Sequence, residues 1–351
     1  MNALLIPDSF KGSLTASAVA AAMEEGLRRH FPGSRCRIFA ASDGGDGFLE
    51  AIGACRPLQA VEVGVSDPLG RPIQAPYLWD PERPEAFVEM ARASGLVLLA
   101  PSERNPLKAH TRGTGELLGA ALEKGADTVY VGLGGSATND GGMGLAVALG
   151  YRFLDAKGDA LQPSGAALAA VARILPPEGA PCWEGKRIIA VNDVDNPLTG
   201  PRGAAVVYGP QKGADPASVA ELDKGLGNLA RVVARDLDTG GNPMPGDGAA
   251  GGTAYGLRVF CRAAFVGGAE YMLRQSGAAD WLEDEAADLI LTGEGRLDQQ
   301  SLQGKWIQAV LDLGKRYSVP VVAVCGQCLL PAEKQREAGL AAVLEVSDPK
   351  K

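Results

Sequence analysis

Histidine is nearly absent from this sequence, since His30 and His110 are the only two among 351 residues. Metal sites built on imidazole, and catalytic triads that need a histidine base, therefore have little to draw on. The nucleophile pattern G-x-S-x-G does not occur. Cysteines are few and scattered, and we expect free thiols rather than a disulfide framework at positions 36, 55, 182, 261, 325 and 328.

A surplus of positive charge and a long apolar run are both missing. The 34 lysines and arginines against 42 aspartates and glutamates give a formal charge of −8, so we expect neither a nucleic-acid partner nor an anionic membrane surface. The strongest apolar stretch, 319–330, is broken by Pro320, Gly326 and Gln327, and no run reaches the roughly 18 residues of a membrane span. The first residues carry no signal-peptide pattern, which favours a cytoplasmic protein.

Glycine is abundant, with 47 residues, and it is clustered. The clusters lie at 43–47, 132–144, 246–252 and 293–295, and three of the four come at or near the end of a predicted strand. Glycine lets the backbone turn sharply and direct several N–H groups at one ligand. The pattern therefore predicts ligand-binding turns at the ends of strands.

Hydrophobic periodicity predicts an α/β protein. Strands at 3–6 and 36–41 flank a helix at 14–30, and the last part of the chain alternates strands at 287–291, 319–325 and 341–346 with helices near 301–317 and 331–338. This predicts a doubly wound parallel sheet built from residues 1–57 and 276–351. Residues 58–275 predict an inserted α/β domain with a mixed sheet, because prolines interrupt 58–99. Its predicted elements are helices at 114–124 and 216–235 and strands at 128–133, 187–191 and 204–208.

Acidic side chains recur in the glycine-bearing turns, and a few cations accompany them. Carboxylates beside closely approached backbone suit a magnesium nucleotide, whose phosphates the cations can neutralise. Any single Asp-Gly turn is also ordinary turn chemistry, so the repetition carries the hypothesis. The acidic residues are Asp8, Asp43, Asp46, Asp140, Asp193, Asp195, Glu294 and Asp298, and the cations are Lys11, Lys212, Arg296 and Lys305.

A dehydrogenase is the alternative interpretation. Residues 132–137 fit G-x-G-x-x-G/A after a strand at 129–131, and Asp155 ends the next predicted strand at 151–154, as in an NAD-binding fold. Asn139 and Asp140 delay the following helix and place a carboxylate close to where a pyrophosphate would bind, which disfavours this interpretation. A Walker A loop is excluded because Trp306 follows Gly304-Lys305.

Eight motifs, which span nearly the whole chain in family order, resemble the bacterial glycerate kinases of the first structural type, which phosphorylate D-glycerate with ATP. The motifs are PDSFKGSL at 7–14, DGGDG at 43–47, RNPLKAHTRGTGEL at 104–117, GLGGSATNDGGMG at 132–144, NDVDNPLTG at 192–200, GPQKGA at 209–214, GDGAAGG at 246–252 and TGEGRLDQQSLQGK at 292–305. The resemblance implies a flavodoxin-like domain from both chain ends, an inserted α/β domain, and substrate in the cleft between them. It also favours 2-phosphoglycerate as product and leaves a homodimer open.

With this resemblance, we expect Asp193 to accept the proton of the attacking hydroxyl, Lys11 to meet phosphate, and Mg²⁺ to be held by Asp8 with Asp298 or Glu294. The amides of Gly44, Gly45, Gly134, Gly135 and Ser136 are expected to cradle phosphate or carboxylate. A small acid needs at least one cation to orient it, for which the candidates are Arg104, Lys108 and Arg112. The remaining candidate substrate or phosphate ligands are Ser9, Asp43, Asn139, Asp140, Asn196, Lys212 and Arg296.

Overall fold

The computed structural model describes residues 1–10, 13–39, 44–45, 47–302 and 306–346. The chain forms two compact units. Unit 1 comprises residues 1–43, 50–57 and 267–351, as far as they are described, and unit 2 comprises residues 44–49 and 58–266. Among the described residues, no helix has the length and apolar character needed to cross a membrane.

The strands follow one another along the chain as β1 (Asn2–Leu5), β2 (Arg35–Ile38), β3 (Gln59–Ser66), β4 (Pro72–Asp80), β5 (Glu85–Glu89), β6 (Thr128–Gly132), β7 (Arg152–Leu154), β8 (Arg173–Leu175), β9 (Arg187–Val191), β10 (Ala264–Val266), β11 (Leu289–Leu297), β12 (Val321–Cys328) and β13 (Leu340–Glu345).

The α-helices are α1 (Ala16–His30), α2 (Phe48–Cys55), α3 (Ala91–Ser94), α4 (Arg112–Glu123), α5 (Met143–Ala148), α6 (Ala204–Tyr208), α7 (Pro216–Asp236), α8 (Ala249–Cys261), α9 (Gly268–Ser276), α10 (Ala278–Asp284), α11 (Trp306–Tyr317) and α12 (Ala332–Ala338). Short 3-10 helices cover Leu96–Leu98, Pro101–Glu103, Ala166–Ala170, Pro210–Lys212 and Gln299–Leu302.

Unit 1 is built on a five-stranded parallel sheet in the order β13-β12-β11-β1-β2. Counted within the unit, this order is 2-1-3-4-5, so the crossover direction reverses between β1 and β11. Parallel strands need long connections, which α1, α11 and α12 supply within the described residues. Because every strand points the same way, the residues that follow β1 and the end of β11 share one edge of the sheet.

Unit 2 contains a six-stranded mixed sheet in the order β10-β9-β6-β5-β4-β3. The four strands β5, β6, β9 and β10 are parallel, while β3 and β4 form antiparallel neighbours at the other side of the sheet. The proline-rich segment thus pairs in the mixed manner that its sequence predicts. A separate two-stranded antiparallel sheet joins β7 and β8.

The residues predicted as a strand at 204–208 form helix α6, so that prediction is wrong. Val206 and Val207 suggest a strand, but both side chains are exposed, whereas Ala204 and Ala205 are buried. Small residues there let a helix pack closely, and no neighbouring strand is available to pair with this segment among the described residues. Tertiary packing overrides the weak β propensity of the valines.

Strand β11 runs on through the fourth glycine cluster, 293–295, where the sequence predicts a turn. Gly293 makes this possible because a Cβ there would collide with the carbonyl oxygen of Val324 on β12. Glu294 and Arg296 consequently lie within a strand, opposite Cys325 and Gln327.

All six cysteines fall within the described residues and are free thiols. Cys182 is the exposed one, while Cys261 and Cys325 are buried. Burial raises the pKa of the Cys325 thiol to about 12, and it also raises the pKa of Cys261. Buried thiols with such pKa values are chemically inert near neutral pH.

Candidate active site

The carboxyl ends of three neighbouring parallel strands in unit 2 bring the glycine turns together. β5 ends at Glu89, β6 at Gly132 and β9 at Val191, and Gly132 pairs with both of the others. Leu133 N–H continues the ladder by donating to Val191 O at 3.1 Å. The 132–142 turn and the 192–196 loop therefore start side by side, at the sheet edge where open α/β sheets bind ligands.

Asp140 fastens the 132–142 turn to the start of α4. Its buried carboxylate accepts hydrogen bonds from Thr111 N–H at 2.8 Å, Thr111 Oγ1 at 2.9 Å, Gly142 N–H at 3.2 Å and Gly144 N–H at 3.0 Å. Four donors satisfy both oxygens of an ionised carboxylate. Asp140 therefore stabilises the turn and its contact with α4, and ligand binding by this side chain stays a prediction.

Lys212 is buried beside the same turn, with 2% of its surface exposed. Its Nζ donates to Ser136 Oγ at 2.7 Å and to Thr138 O at 2.7 Å. Burial lowers the pKa of this lysine to about 7, and the negative charge of Asp140 works in the opposite direction. Lys212 therefore loses its proton more readily than an exposed lysine does.

The turn carries polar groups that make no hydrogen bond to any described residue. Within the part of the chain that the structure describes, no hydrogen bond leaves the backbone N–H groups of Gly134, Gly135 and Ser136. The buried Thr138 Oγ1 and both side-chain polar atoms of Asn139 likewise have no partner there. Buried polar groups are nearly always hydrogen-bonded, so this cluster points to a polar ligand or to water.

The first glycine turn of unit 2 lies against the same strand ends. Gly44 has φ +84°, and a Cβ on it would come within 2.6 Å of Val191 O. Glu89 holds the segment by accepting hydrogen bonds from Gly47 N–H at 3.3 Å and Leu49 N–H at 3.0 Å. Gly44 and Gly45 therefore stand at the ends of β6 and β9, where the sequence predicts an amide cradle.

The loop after β9 carries the predicted base. Asn192 starts it by accepting a hydrogen bond from Val194 N–H at 3.0 Å, and Asp193 in this small turn is half-buried. The side chain of Asn196 is engaged by Arg202 O at 2.8 Å and by Tyr208 Oη at 2.8 Å. Asn196 therefore fixes its loop, and a ligand role for it stays a prediction.

The three cations proposed for a carboxylate differ in their surroundings. Lys108 and Arg112 are exposed, and Arg112 Nε donates to Glu116 at 3.0 Å. Arg104 is half-buried, and its Nε is buried with no partner in the described part of the chain. Its backbone carbonyl lies close to Gly213, directly after Lys212. Arg112 also adjoins the turn through its backbone, since it follows Thr111, but Arg104 is the one of the three with a buried side-chain N–H that has no partner among the described residues.

In unit 1, the candidate residues lie at the edge where β1 ends. Asp8 N–H donates to Gly293 O at 2.8 Å, which places Asp8 beside Glu294, and both side chains are half-buried. Asp8 Oδ1 accepts a hydrogen bond from Ser9 N–H at 2.6 Å. Arg296 and Asp298 lie 3.5 Å apart and line a cleft of about 670 Å³. Lys11 and Asp43, like Asp46 and Lys305, lie outside the described residues.

The chain was compared with protein-family models, with curated proteins and with solved structures. The model of the glycerate kinase family matches residues 3–351. A curated glycerate kinase of Bacillus subtilis is 38% identical over 346 residues, which cover 99% of this chain and 90% of the relative. A glycerate 2-kinase of Escherichia coli is 38% identical over 350 residues, with the same coverage. A solved crystal structure described as a glycerate kinase 2, from Salmonella typhimurium LT2, aligns with TM-score 0.82 and 39% identity over 99% of this chain and 90% of that one.

The chain belongs to the glycerate kinase family. It is therefore an enzyme, a phosphotransferase that acts on glycerate. The resemblance read from the eight motifs is confirmed.

The glycerate kinase assignment leaves the dehydrogenase alternative without support, and the local structure explains why the pattern misled. A nicotinamide-binding turn needs a helix directly after it and a neighbouring parallel strand next along the chain. Here α5 begins only at Met143 and has six residues. The strand expected at 151–154 is β7, which pairs antiparallel with β8 in a separate sheet.

Sequence reasoning missed two residues that shape the site of this glycerate kinase. Thr111 binds Asp140 and also accepts a hydrogen bond from Leu145 N–H at 2.9 Å. Glu89 holds the 44–49 segment through two N–H groups. The available signal for Glu89 was a carboxylate at the end of a buried strand, and for Thr111 a hydroxyl directly before a helix.

Proposed function

We propose that this member of the glycerate kinase family transfers the γ-phosphoryl group of ATP to the 2-hydroxyl of D-glycerate. The name of the E. coli relative, a glycerate 2-kinase, supports the 2-position. The observation that carries the proposal is the turn at Gly134–Ser136, whose N–H groups lack protein partners in the described chain and lie next to a buried lysine. Both substrates are anions, and such a turn suits an anionic group.

The turn supplies what anion recognition requires. Successive N–H groups in a turn with a positive-φ glycine form a concave donor set, and Gly135 has φ +61°. Fixed donors of this kind stabilise charge without having to reorganise. Thr138 and Asn139 add a hydroxyl and an amide, which can both donate and accept. We assign the turn to the oxygen atoms of glycerate, with its carboxylate on the N–H groups.

Asp193 is proposed as the group that orients and accepts the proton of the attacking hydroxyl. It stands in a short turn directly after β9, held by the Asn192 side chain. The loose transition state of phosphoryl transfer asks mainly for positioning and charge neutralisation, so one well-placed carboxylate suffices as base. Arg104 is the preferred partner for a substrate oxygen among the three cations, and Gly44 and Gly45 remain candidates for phosphate.

Unit 1 is proposed to hold the nucleotide side of the reaction. Its strand order 2-1-3-4-5 supports a flavodoxin-like assignment. Magnesium in phosphoryl transfer is held by one or two carboxylates together with phosphate oxygens, and the neighbouring, half-buried Asp8 and Glu294 suit that role. The described residues contain no group of three acidic, histidine or cysteine side chains that could hold a metal ion, so Asp298 is proposed as an alternative to Glu294 and not as a third ligand. The metal would neutralise charge on the transferring phosphoryl group. Lys11, Ser9 and Arg296 are proposed phosphate partners.

The experiment that tests the function measures ADP. Purified protein is incubated with Mg²⁺, ATP and D-glycerate, with each component omitted in turn. A kinase releases ADP only when glycerate is present, a dehydrogenase changes nicotinamide absorbance without ATP, and a non-enzymatic sensor binds without turnover. Absence of glycerate-dependent ADP would refute the proposal.

Phosphorus NMR of the same reaction decides the position of transfer. The phosphorus resonance of 2-phosphoglycerate is coupled to the C2 proton, whereas that of the 3-isomer is coupled to two C3 protons. We expect the doublet of the 2-isomer. A triplet would overturn the regiochemical half of the proposal and leave the kinase half intact.

A further inference from the structure

The ammonium of Lys212 is buried and donates its described hydrogen bonds to other groups of the protein. The residue ends the 3-10 helix Pro210–Lys212, and its two described hydrogen bonds go to Ser136 Oγ and Thr138 O, each at 2.7 Å. With 2% of the residue exposed, little of it is left to reach a ligand directly. Its geometry indicates an action on the turn rather than on the substrate.

Stability alone gives no reason for a charge at this position. Moving an ammonium out of water is unfavourable, and an apolar side chain of similar length often serves folding equally well or better. Among the described residues, no carboxylate lies within ion-pair distance of Lys212. The two hydrogen bonds to the turn are what the lysine specifically adds.

These contacts fix the segment between two groups that make no hydrogen bond to the described residues. The N–H groups of Gly134 and Gly135 precede it, and the side-chain amide of Asn139 follows it. Lys212 binds residues 136 and 138, and between them Ala137 N–H donates to Ser94 O at 2.9 Å. Three successive residues are thereby held. Each peptide group is rigid and planar, so fixing residues 136–138 also restricts the directions of the N–H groups next to them.

We infer that Lys212 is a positioning residue, which acts through Ser136 and Thr138 to aim the N–H groups of Gly134–Ser136 at the carboxylate of the three-carbon acid. The inference rests on the proposed function for its ligand. Lys212 does not touch the substrate in this account, which separates it from a phosphate-binding lysine.

The kinetic test replaces Lys212 with methionine, which keeps the length of the side chain and removes both hydrogen bonds. We expect kcat/KM for glycerate to fall roughly 100-fold, the scale of losing oriented donors. KM for ATP is expected to stay within about twofold because the change affects acid binding only. The midpoint of thermal unfolding should stay close to that of the wild type, because relief of the buried charge offsets the loss of a donor to Ser136 Oγ and Thr138 O. A lower midpoint with normal kcat/KM would mean that Lys212 is merely structural.

A variant pair tests the route of the effect. Ser136→Ala removes one acceptor of the lysine, and if Lys212 acts through it, the double variant should be little worse than Lys212→Met alone. Fully additive losses would overturn this route. Lys224→Met serves as the matched control, since Lys224 is exposed on α7, and it should leave both activity and stability unchanged.

Hydrogen exchange tests the positioning without relying on catalysis. In Lys212→Met, amides of a peptide covering 133–140 are expected to exchange faster than in the wild type, while peptides from α7 stay unchanged. Unaltered exchange in 133–140 would refute the positioning role. If the wild type shows no glycerate-dependent ADP, the proposed function fails, and the exchange data still decide whether Lys212 orders the turn.

Discussion

At the scale of single residues, the two buried ionisable groups at the turn have opposite surroundings. Asp140 accepts four hydrogen bonds from donors in its own turn and in residues 111 and 144. Lys212 has two described hydrogen bonds and a lowered pKa. A satisfied buried carboxylate stabilises the fold, whereas a partly satisfied buried ammonium suggests that its position matters for activity.

Replacing Asp140 with asparagine should destabilise the protein by about 2–4 kcal/mol, because an NH₂ group would then face donors that need an acceptor. Urea unfolding monitored by circular dichroism measures this. Asp159→Asn is the control, since Asp159 is exposed, and a change within about 0.5 kcal/mol is expected for it. Equal stability of the two variants would mean that the Asp140 network contributes little.

The sequence could locate these residues but could not assign their partners. Glycine clusters and acidic residues marked the 132–142 turn, and all the residues flagged there lie in it. The contacts that give each its task come from far along the chain, since Ser136 meets Lys212 across 76 positions and Asp140 meets Thr111 across 29. Periodicity and turn chemistry report on local structure, so such pairs are visible only in three dimensions.

At the scale of elements, two glycines let α4 and α5 approach each other closely. A Cβ on Gly115 of α4 would come within 2.5 Å of Leu145 O, and one on Gly144 of α5 would come within 2.5 Å of Arg112 N. The same contact carries the Thr111–Asp140 hydrogen bonds. The helix pair and the turn are thus packed as one local assembly.

Gly115→Ala should therefore destabilise the protein by about 1–3 kcal/mol through overpacking, and it should lower activity by displacing the turn. Denaturant unfolding and the ADP assay measure the two effects. Gly119→Ala lies on the same helix, where a Cβ would make an ordinary contact of 3.8 Å with Leu149. This control should be neutral or stabilising by up to about 1 kcal/mol, because alanine favours helix. Loss of stability in both variants would point to helix strain instead of close packing.

Elements with strong periodicity were predictable, and those decided by neighbours were not. The amphipathic pattern of 216–235 matches α7, and the apolar run of 128–133 matches β6. The valines of α6 predicted a strand and the glycines of β11 predicted a turn, and both predictions are wrong. In each case packing against neighbouring elements of the same unit decides the conformation. The prolines of 58–99 correctly predicted mixed pairing, since β3, β4 and β5 pair antiparallel in sequence and β5 pairs parallel with β6.

At the scale of the whole chain, each compact unit has its own sheet and its own apolar core. In unit 2 the core includes Tyr77 and Tyr255, both with almost no exposed surface. In unit 1 the apolar side chains of β1 pack with Val19 and Met23 of α1. The sequence predicted two α/β parts, one with a parallel sheet and one with a mixed sheet. This was possible because strands and helices alternate along both chain ends, even though a long middle segment separates them.

Differential scanning calorimetry should show departures from two-state unfolding. Chains with more than one core commonly populate partly unfolded states, so we expect the calorimetric enthalpy to exceed the van't Hoff enthalpy. Glycerate should shift the part of the transition that belongs to unit 2, because its proposed ligands lie there. Equal enthalpies in a single symmetric peak would show that the chain unfolds as one cooperative block.

The exposure of Cys182 has a practical consequence. It is the exposed thiol among the six, and it directly precedes Trp183, which stacks on Tyr151 in the interior of unit 2. Its pKa is raised by partial burial, so alkylation needs mildly alkaline buffer, in which accessibility rather than acidity selects the thiol. A limiting amount of a thiol-reactive fluorophore should therefore label Cys182 before the partly buried Cys36, Cys55 and Cys328, which gives this enzyme an optical reporter without altering its sequence.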